Sequence, residues 1–147
     1  MKIVLQRVKN ASVVVTGEVT GKIKQGVCLL IGIEKGDTEE DAFYLARKIV
    51  ELRIFPDKAG KMNRSLSDIQ GEVLAVSQFT LAGSIKKGRR PSFDKAEDPE
   101  LAEELFNCFV DQIRKSEIKV ETGVFGAMMD VHLINDGPVT FILQDKK

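Results

Sequence analysis

Hydrophobic and polar positions alternate, or apolar residues run together, in eight short stretches of the chain, a pattern typical of β-strands. The most apolar stretch, Val27–Ile33, follows Gly26 and has the continuous hydrophobic character of a strand buried on both faces. The other seven are Ile3–Val8, Ser12–Thr16, Glu18–Lys24, Glu72–Ser77, Lys119–Glu121, Met129–Ile134 and Val139–Leu143. The pattern therefore predicts more strands than helices.

Two stretches have the spacing of amphipathic helices. Thr38 with Asp41 three residues later is a capping-box-like start, and the buried face that follows is Ala42, Leu45, Ala46, Ile49 and Val50. Asp98 and Pro99 have the character of an N-cap and first turn, and the predicted buried face of this helix is Leu101, Leu105, Phe109 and Ile113. The helices do not alternate regularly with strands, which argues against a doubly wound parallel sheet. We predict one α/β domain over residues 1–147, with a curled, largely antiparallel sheet or barrel and two to three flanking helices.

Composition narrows the class of protein. The chain has 147 residues, of which 43% are hydrophobic and 30% charged, so a disordered chain is excluded and one domain is expected. The apolar run Val27–Ile33 is too short to span a bilayer, and the N-terminus becomes polar too soon for a signal peptide. We therefore expect a soluble cytoplasmic protein with no membrane partner.

Charge and cysteine content narrow the class of protein further. The 22 basic and 22 acidic residues leave a net charge of zero, so any RNA contact must come from a local patch or involve a small part of the RNA. Cys28 and Cys108 are expected to be buried thiols, with a disulfide the minority alternative. With a single histidine, His132, a dedicated zinc site is not expected. We predict no metal and no cofactor.

Four segments are candidates for chemistry, and each also has a plain structural interpretation. Ser77–Ala82 places hydroxyls and an amide at the end of a buried strand, where they either bind a polar ligand or satisfy backbone groups. Lys86–Phe93 has four cations in five residues, which either grip phosphates or lie in a solvated loop. Thr122–Met129 has two glycines around Phe125, for a close backbone approach or for a strand connection. Asn135–Phe141 contains Asp-Gly, a strong hairpin signal, followed by a proline without a backbone donor. It is either a hairpin turn that joins Met129–Ile134 to Val139–Leu143 or a rigid backbone segment that binds a ligand through its carbonyls.

Several enzyme signatures are absent from the sequence. There is no Gly-x-Ser-x-Gly elbow, no Walker loop and no Rossmann fingerprint. On a strand, His132 shares a face with Asp130 and Ile134, and it has no evident nucleophile beside it. If the chain is an enzyme, it works mainly by positioning and by backbone electrostatics.

Two of the four segments together resemble a known family. Ser77-Gln78-Phe79-Thr80-Leu81 paired with Asn135-Asp136-Gly137-Pro138-Val139-Thr140 is similar to the double signature of the bacterial D-aminoacyl-tRNA deacylases. The likeness covers nearly the whole chain, including Gln6-Arg7-Val8, Gly60-Lys61-Met62-Asn63, Arg90-Pro91-Ser92-Phe93 and Thr122-Gly123-Val124-Phe125. One departure is Met128, where the family often has an aspartate.

The resemblance implies an activity and an assembly. Members are homodimers with the active site at the subunit interface, and their partner is the 3′ end of an aminoacyl-tRNA. They hydrolyse the ester of D-aminoacyl-tRNA and remove glycine mischarged onto tRNA for alanine. The Gly137–Pro138 peptide is expected to be cis and to enter the other subunit's pocket, where backbone carbonyls would leave no room for an L side chain.

The resemblance also implies site residues. Ser77, Gln78 and Thr80 are the implied catalytic set; Phe79, Phe125 and Met129, with Gly137, Pro138 and Arg7, are the implied substrate-binding set. A threonine without a base is a poor nucleophile, so we favour attack by water assisted by the RNA 2′-hydroxyl. Arg7 either braces the Gly-Pro segment or pairs with an acid.

Two other functions remain open on the sequence. The first is an RNA-binding module without catalysis, which would use Lys86–Arg90 and bind tRNA whatever its charging state. The second is a hydrolase of D-amino acid esters or peptides that needs no RNA.

Overall fold

Strands outnumber helices in the computed structural model, which describes residues 1–145. In chain order the elements are β1 (Lys2–Val15), β2 (Glu18–Ile23), β3 (Gly26–Gly32), α1 (Glu39–Glu51), β4 (Phe55–Pro56), β5 (Met62–Arg64), α2 (Leu66–Ile69), β6 (Glu72–Ser77), a 3₁₀ turn (Phe79–Ala82), α3 (Pro99–Arg114), β7 (Val120–Thr122) and β8 (Asp130–Gln144). The prediction of a single α/β domain with a curled sheet and two to three helices is confirmed. No helix among the described residues is long and apolar enough to cross a membrane.

The main sheet is mixed and curls almost into a barrel. Its order is β2-β1-β3-β6-β7, and β8 lies on the other edge of β1. β1 is antiparallel to β2, β3 and β8, whereas the β3–β6 and β6–β7 pairs are parallel. A Cβ atom added at Gly21 in β2 would lie 2.6 Å from the carbonyl oxygen of Thr122 in β7. The two end strands therefore approach each other closely, and only a residue without a side chain fits between them.

The first long helix follows its sequence signals. The Thr38 side chain accepts from the backbone N–H of Asp41, and the Asp41 carboxylate accepts from the backbone N–H of Thr38, which completes the predicted capping box. The buried residues of α1 are the five predicted.

The buried face of α3 differs at one end from the prediction. Asp98 and Pro99 stand at its N-cap and first turn as expected, but Leu101 is 43% exposed. The predicted residues were spaced four apart, and each such step drifts by about 40° around a helix with 3.6 residues per turn. The true face therefore shifts by one position at the N-terminal end: Ala102, Leu105, Phe106, Phe109, Val110 and Ile113.

Strands β1 and β8 are each longer than predicted, and the predicted hairpin at Asp136-Gly137 is wrong. Both halves of β8 pair antiparallel with β1, with Asn135 opposite Val8 and Thr140 opposite Gln6. Four residues, 136–139, therefore stand opposite Arg7 alone and leave the ladder as a bulge. Proline cannot donate to the ladder, so the segment departs from the sheet there while its flanks stay paired. We call residues 136–139 the corner.

The buried residues form two clusters on opposite faces of the sheet. The larger cluster lies against α1 and α3 and includes the fully buried Phe55 and Phe109. The smaller consists of Val8, Ala11, Val13, Ile23, Cys28, Leu74 and Val76. Val76 is the last residue of this cluster on β6, so the strand leaves the core at Ser77.

Candidate active site

A pocket of ≈ 590 Å³ opens where β6 ends. The core-facing strand holds Val76 in place, and the chain then turns through the 3₁₀ turn Phe79–Ala82. Six residues predicted for the site line this pocket together: Ser77, Gln78, Phe79, Thr80, Phe125 and Met129. Segments about 50 residues apart in sequence thus meet in one concave surface, which we call the pocket.

A side-chain hydrogen bond joins two polar residues of the pocket. The Nε2 group of Gln78 donates to Oγ1 of Thr80. The backbone amide of Gln78 donates to the carbonyl oxygen of Ile31 at 2.7 Å, which fixes the start of the turn against β3. Thr80 Oγ1 is therefore an acceptor toward Gln78, and its own O–H group remains able to donate to a ligand.

Phe79, which lines the pocket, forms an exposed aromatic pair with Phe93, which lies outside the lining. Phe79 is 59% exposed although it is large and apolar. Its ring lies 5.1 Å from that of Phe93, tilted by 59°. Paired backbone hydrogen bonds between Ser84 and Ser92, 2.8 and 2.9 Å long, close the intervening loop. The cations of Lys86–Arg90 are exposed on this loop beside the aromatic pair.

Another part of the pocket lining comes from the connection between β7 and β8. Phe125 packs on Phe106 of α3 with ring centroids 6.1 Å apart. Gly126 has φ +77°, a conformation that L side chains rarely adopt, and it lets the chain turn back toward Met129. Met128 stands at the rim and is 93% exposed. The pocket is therefore apolar and open at Met128, the position at which the sequence departs from the family it resembles.

Part of the pocket was missed in the sequence. Ala96, Glu97, Pro99 and Ala102 line it from the start of α3, and Val131 lines it from β8. The sequence predicted a helix that starts at Asp98 and Pro99, but a helix start does not indicate which residues of the helix line a pocket. Glu97 is the one ionisable side chain among the lining residues that the structure describes, and its Oε1 accepts from the backbone N–H of Asp98 at 2.9 Å.

The remaining three predicted site residues lie outside this pocket. Gly137 and Pro138 belong to the corner, and Arg7 lies beneath it on β1. The Gly137–Pro138 peptide is cis, as expected, and Gly137 has φ +130°. None of the three lines the pocket of its own chain.

Arg7 is 8% exposed and holds the corner from below. Its Nε donates to the carbonyl oxygen of Asp136 at 3.1 Å, and its Nη1 donates to the carbonyl oxygen of Ile54 at 2.6 Å. The Asp136 carboxylate also lies 3.4 Å from Nε. Each of the two interpretations of Arg7 therefore has a matching contact. The bond to the Asp136 carbonyl fits a brace, and the nearby Asp136 carboxylate fits an ion pair.

The histidine and the cysteines lie away from this chemistry. His132 is exposed on β8 on the face predicted for it, and it does not line the pocket. Both thiols are free. Burial raises the pKa of Cys28 to about 11, and the pKa of Cys108 is raised by burial and by the nearby Glu39 carboxylate. Cys28 is buried as predicted, whereas Cys108 is only half-buried.

One group of carboxylates could in principle hold a cation. Oxygen atoms of Asp37, Asp41 and Asp145 lie within 4.8 Å of one another. The Met1 amino group bonds to both Asp37 and Asp145, so a positive charge already occupies the cluster. Burial raises the pKa of Asp37. None of these residues lines the pocket.

Comparison with known proteins agrees with this architecture. The family model described as D-Tyr-tRNA(Tyr) deacylase matches residues 4–144. D-aminoacyl-tRNA deacylases of Bacillus thuringiensis (strain Al Hakam) and Bacillus anthracis (strain A0248) are each 57% identical over 146 residues, which is 99% of this chain and 100% of theirs.

Two solved structures have the same fold as this chain. A structure titled c-Myc DNA Unwinding Element Binding Protein superposes with a TM-score of 0.93 at 45% identity and covers 100% of both chains. A probable eukaryotic D-amino acid tRNA deacylase superposes with a TM-score of 0.81 at 18% identity over 97% of each chain. At that identity the second likeness supports the fold alone.

The family model and the curated relatives thus place this chain, with its nearly closed barrel and its pocket at the end of β6, in the deacylase class of hydrolases. The chain belongs to the D-Tyr-tRNA(Tyr) deacylase family. The resemblance inferred from the Ser77 and Asn135 segments is confirmed.

Proposed function

We propose that this protein hydrolyses the ester that joins a D-amino acid to the terminal adenosine of tRNA, in the cytoplasm where charged tRNA is used. The observation that carries the proposal is the pocket, because it gathers Ser77, Gln78, Phe79 and Thr80 against Phe125 and Met129. The exposed Phe79 offers a face on which the terminal base can stack, as aromatic side chains do with unstacked nucleotides.

The 2′-hydroxyl of the terminal ribose assists attack by water in this proposal. Among residues 1–145, no histidine lines the pocket, and the Glu97 carboxylate already accepts a backbone hydrogen bond. Thr80 Oγ1 accepts a hydrogen bond from Gln78, which draws electron density away from the oxygen and makes it a weaker nucleophile. Water oxygen adds to the ester carbonyl carbon, the bond to the 3′-oxygen breaks, and that oxygen leaves with a proton.

Backbone N–H groups that follow Gln78 stabilise the oxyanion in this proposal. The Gln78 amide is already bonded to Ile31, so it is unavailable. Phe79 and Thr80 begin the 3₁₀ turn, where the first N–H groups have no partner within the turn. Their amides, with the Thr80 hydroxyl, are the donors we assign to the developing charge.

Chirality is read by the corner of a second subunit. Because Gly137 and Pro138 do not line the pocket of their own chain, a homodimer with the active site at its interface would bring them to the partner's pocket. Phe141 and Ile142, just beyond the corner on β8, are 41% and 72% exposed and offer apolar surface for such an interface.

Backbone carbonyls of the corner would attract the α-ammonium group and occupy the space of an L side chain. A D side chain points elsewhere and is accepted whatever its identity, because the contacts are to main-chain atoms. Glycine has no side chain to exclude, so glycine mischarged onto tRNA for alanine is a second expected substrate.

The test is the release of amino acid from D-tyrosyl-tRNA and L-tyrosyl-tRNA in parallel. We expect hydrolysis of the D ester and at most a trace with the L ester. Equal rates on the two, or no release from either, would contradict the proposal. Glycyl-tRNA for alanine in the same assay tests the second substrate.

The same assay separates the two alternatives. Binding of charged and uncharged tRNA with no release would favour the RNA-binding module. Hydrolysis of D-tyrosine methyl ester as fast as D-tyrosyl-tRNA would favour a small-ester hydrolase that does not recognise RNA.

A further inference from the structure

A second basic segment lies apart from the loop at Lys86–Arg90. Residues 53–64, which contain the β4–β5 hairpin, carry four cations, Arg53, Lys58, Lys61 and Arg64, against the single carboxylate of Asp57. All four cationic side chains are exposed. In a chain of zero net charge this is a local excess of positive charge. We call residues 53–64 the basic hairpin.

The two lysines of the basic hairpin differ from its two arginines in their acidic neighbours. The pKa of Asp68 is lowered by its hydrogen bonds with Ser65 and also by the charges of Arg64 and Arg53, so the arginines are partly compensated by this carboxylate. None of the ion pairs formed within residues 1–145 involves Arg53, Lys58, Lys61 or Arg64. The Asp57 carboxylate accepts from the backbone amides of Ala59 and Lys61, at 2.9 and 3.0 Å. It is therefore used to shape the turn, and the ammonium groups of Lys58 and Lys61 remain available to an anion.

The hairpin presents these groups on an ordered backbone. Gly60 turns the chain with φ +80°, and the Asp57 amide donates to the Lys61 carbonyl at 2.8 Å. Arg53 donates through Nε to Asn63 O at 3.1 Å, and Arg64 donates through Nη2 to Asp68 O at 2.9 Å. Each guanidinium is thus anchored by one N–H and keeps others for a phosphate.

The base of the hairpin is tied to the corner by one side chain. Arg7 donates to Ile54 O at the start of the hairpin and to Asp136 O in the corner. Because Arg7 bonds to both segments, the position of the basic hairpin is fixed relative to that of the corner. Phosphates are recognised by such local clusters of lysine and arginine, which fix position without reading sequence.

We infer that the basic hairpin is a binding surface for the backbone phosphates of the tRNA acceptor end. The inference rests on the proposed function, in which the corner enters the partner's pocket. The basic hairpin of one subunit and Lys86–Arg90 of the other would then flank the same RNA end from two sides. Lys58 and Lys61 contribute binding of the RNA and take no part in the chemistry of the ester.

The experiment compares two substrates with one variant. Lys58→Gln/Lys61→Gln is assayed on D-tyrosyl-tRNA and on D-tyrosyl-adenosine, which has the same ester and no phosphates. Lys22→Gln/Lys24→Gln is the matched control, because these lysines are exposed on and just after β2, which does not line the pocket. Thermal unfolding checks that both variants stay folded.

We expect the KM for D-tyrosyl-tRNA to rise about 10-fold in the hairpin variant, with kcat little changed. The dependence of log(kcat/KM) on log salt should become shallower by about one for each lysine removed. Hydrolysis of D-tyrosyl-adenosine should be unchanged, and the control variant should behave as wild type on both substrates.

Two results would overturn the inference while leaving the proposed function intact. One is an unchanged KM and salt dependence on D-tyrosyl-tRNA. The other is an equal loss on both substrates, which would mean that the lysines support the fold or the pocket. Failure of the proposed function itself is distinct, since wild type would then release amino acid from neither substrate.

Discussion

The pocket at Ser77–Thr80 and the corner at 136–139 are built in different ways. The pocket lies where a buried strand simply ends, and its polar groups follow directly from the local sequence. The corner interrupts a strand that continues on both sides, and it is held by Arg7, about 130 residues away in sequence. The pocket is lined by residues of a single chain, whereas the corner does not line the pocket of its own chain.

This difference suggests a division of labour. In the proposed function, groups in the pocket act on the ester, so altering them should change the rate on the accepted substrate. Groups in the corner of the partner subunit would contact only the amino acid, so altering them should change the discrimination between D and L esters. Substitutions in both regions, and one change of substrate, test that separation.

The largest effect is expected from Gly137→Ala. At φ +130° an added Cβ atom would lie 2.8 Å from Cγ2 of Val139 and 3.2 Å from Nη2 of Arg7. The corner must therefore shift, and misplacement of a positioning element by about 1 Å can cost on the order of 100-fold in rate. We expect kcat/KM for D-tyrosyl-tRNA to fall about that much and the D-to-L ratio to fall with it.

A matched substitution at Gly17 separates the effect of the clash from that of backbone strain. Gly17 also has positive φ, at +82°, but a Cβ atom there meets nothing within 4 Å. Gly17→Ala should cost about 1–2 kcal/mol of stability through backbone strain alone and leave the D-to-L ratio unchanged. If Gly137→Ala lowers the rate on both esters while their ratio holds, the corner supports the fold or the chemistry and does not read chirality.

The two regions also differ in what the sequence could predict. The end of β6, the Thr38 capping box and the α1 face follow from neighbouring residues, and all three were predicted. The corner looked like a hairpin because Asp136-Gly137 is a local turn signal, yet pairing of both flanks with β1 prevails. Similarly, Ala96 and Ala102 are small residues whose place in the pocket depends on how α3 packs. Contacts between distant segments, which local patterns do not encode, account for both misses.

An intermediate effect is expected from Arg7→Lys. A lysine ammonium keeps the charge but lacks the planar fork that lets Arg7 donate to Ile54 O and Asp136 O at once. Loss of one buried carbonyl contact costs about 1–3 kcal/mol. We expect a comparable loss in thermal unfolding measurements and a decrease of about 10-fold in kcat/KM for D-tyrosyl-tRNA.

Asp136→Asn distinguishes the two roles that the contacts allow for Arg7. This variant removes the carboxylate 3.4 Å from Nε but keeps the backbone carbonyl that Arg7 reaches at 3.1 Å. If Arg7 braces the corner, Asp136→Asn should be nearly silent. An effect as large as that of Arg7→Lys would instead identify the ion pair as the interaction that matters.

The smallest effect on the discrimination between D and L esters is expected from Thr80→Ala, although this residue lies in the pocket itself. Thr80 Oγ1 accepts from Gln78, so we assign the hydroxyl to hydrogen bonding of the developing oxyanion and leave the attack to water. Removing one such donor should lower kcat on D-tyrosyl-tRNA by no more than about 100-fold and leave the D-to-L ratio intact. The corner is unaltered in this variant. An intact D-to-L ratio together with a lower kcat would therefore show that the pocket sets the rate and that the corner sets the discrimination between D and L esters.

A change in the substrate completes the test of Thr80. If the RNA 2′-hydroxyl assists the water, D-tyrosyl-tRNA ending in 2′-deoxyadenosine, with the ester on the 3′-oxygen, should react far more slowly with wild type than the normal substrate does. Its loss should exceed that caused by Thr80→Ala. The opposite order, in which Thr80→Ala abolishes turnover and the deoxy substrate still reacts, would make Thr80 the nucleophile. The pocket would then supply the attacking group from the protein, and the contrast with the corner would become one between a reactive side chain and a set of positioned carbonyls.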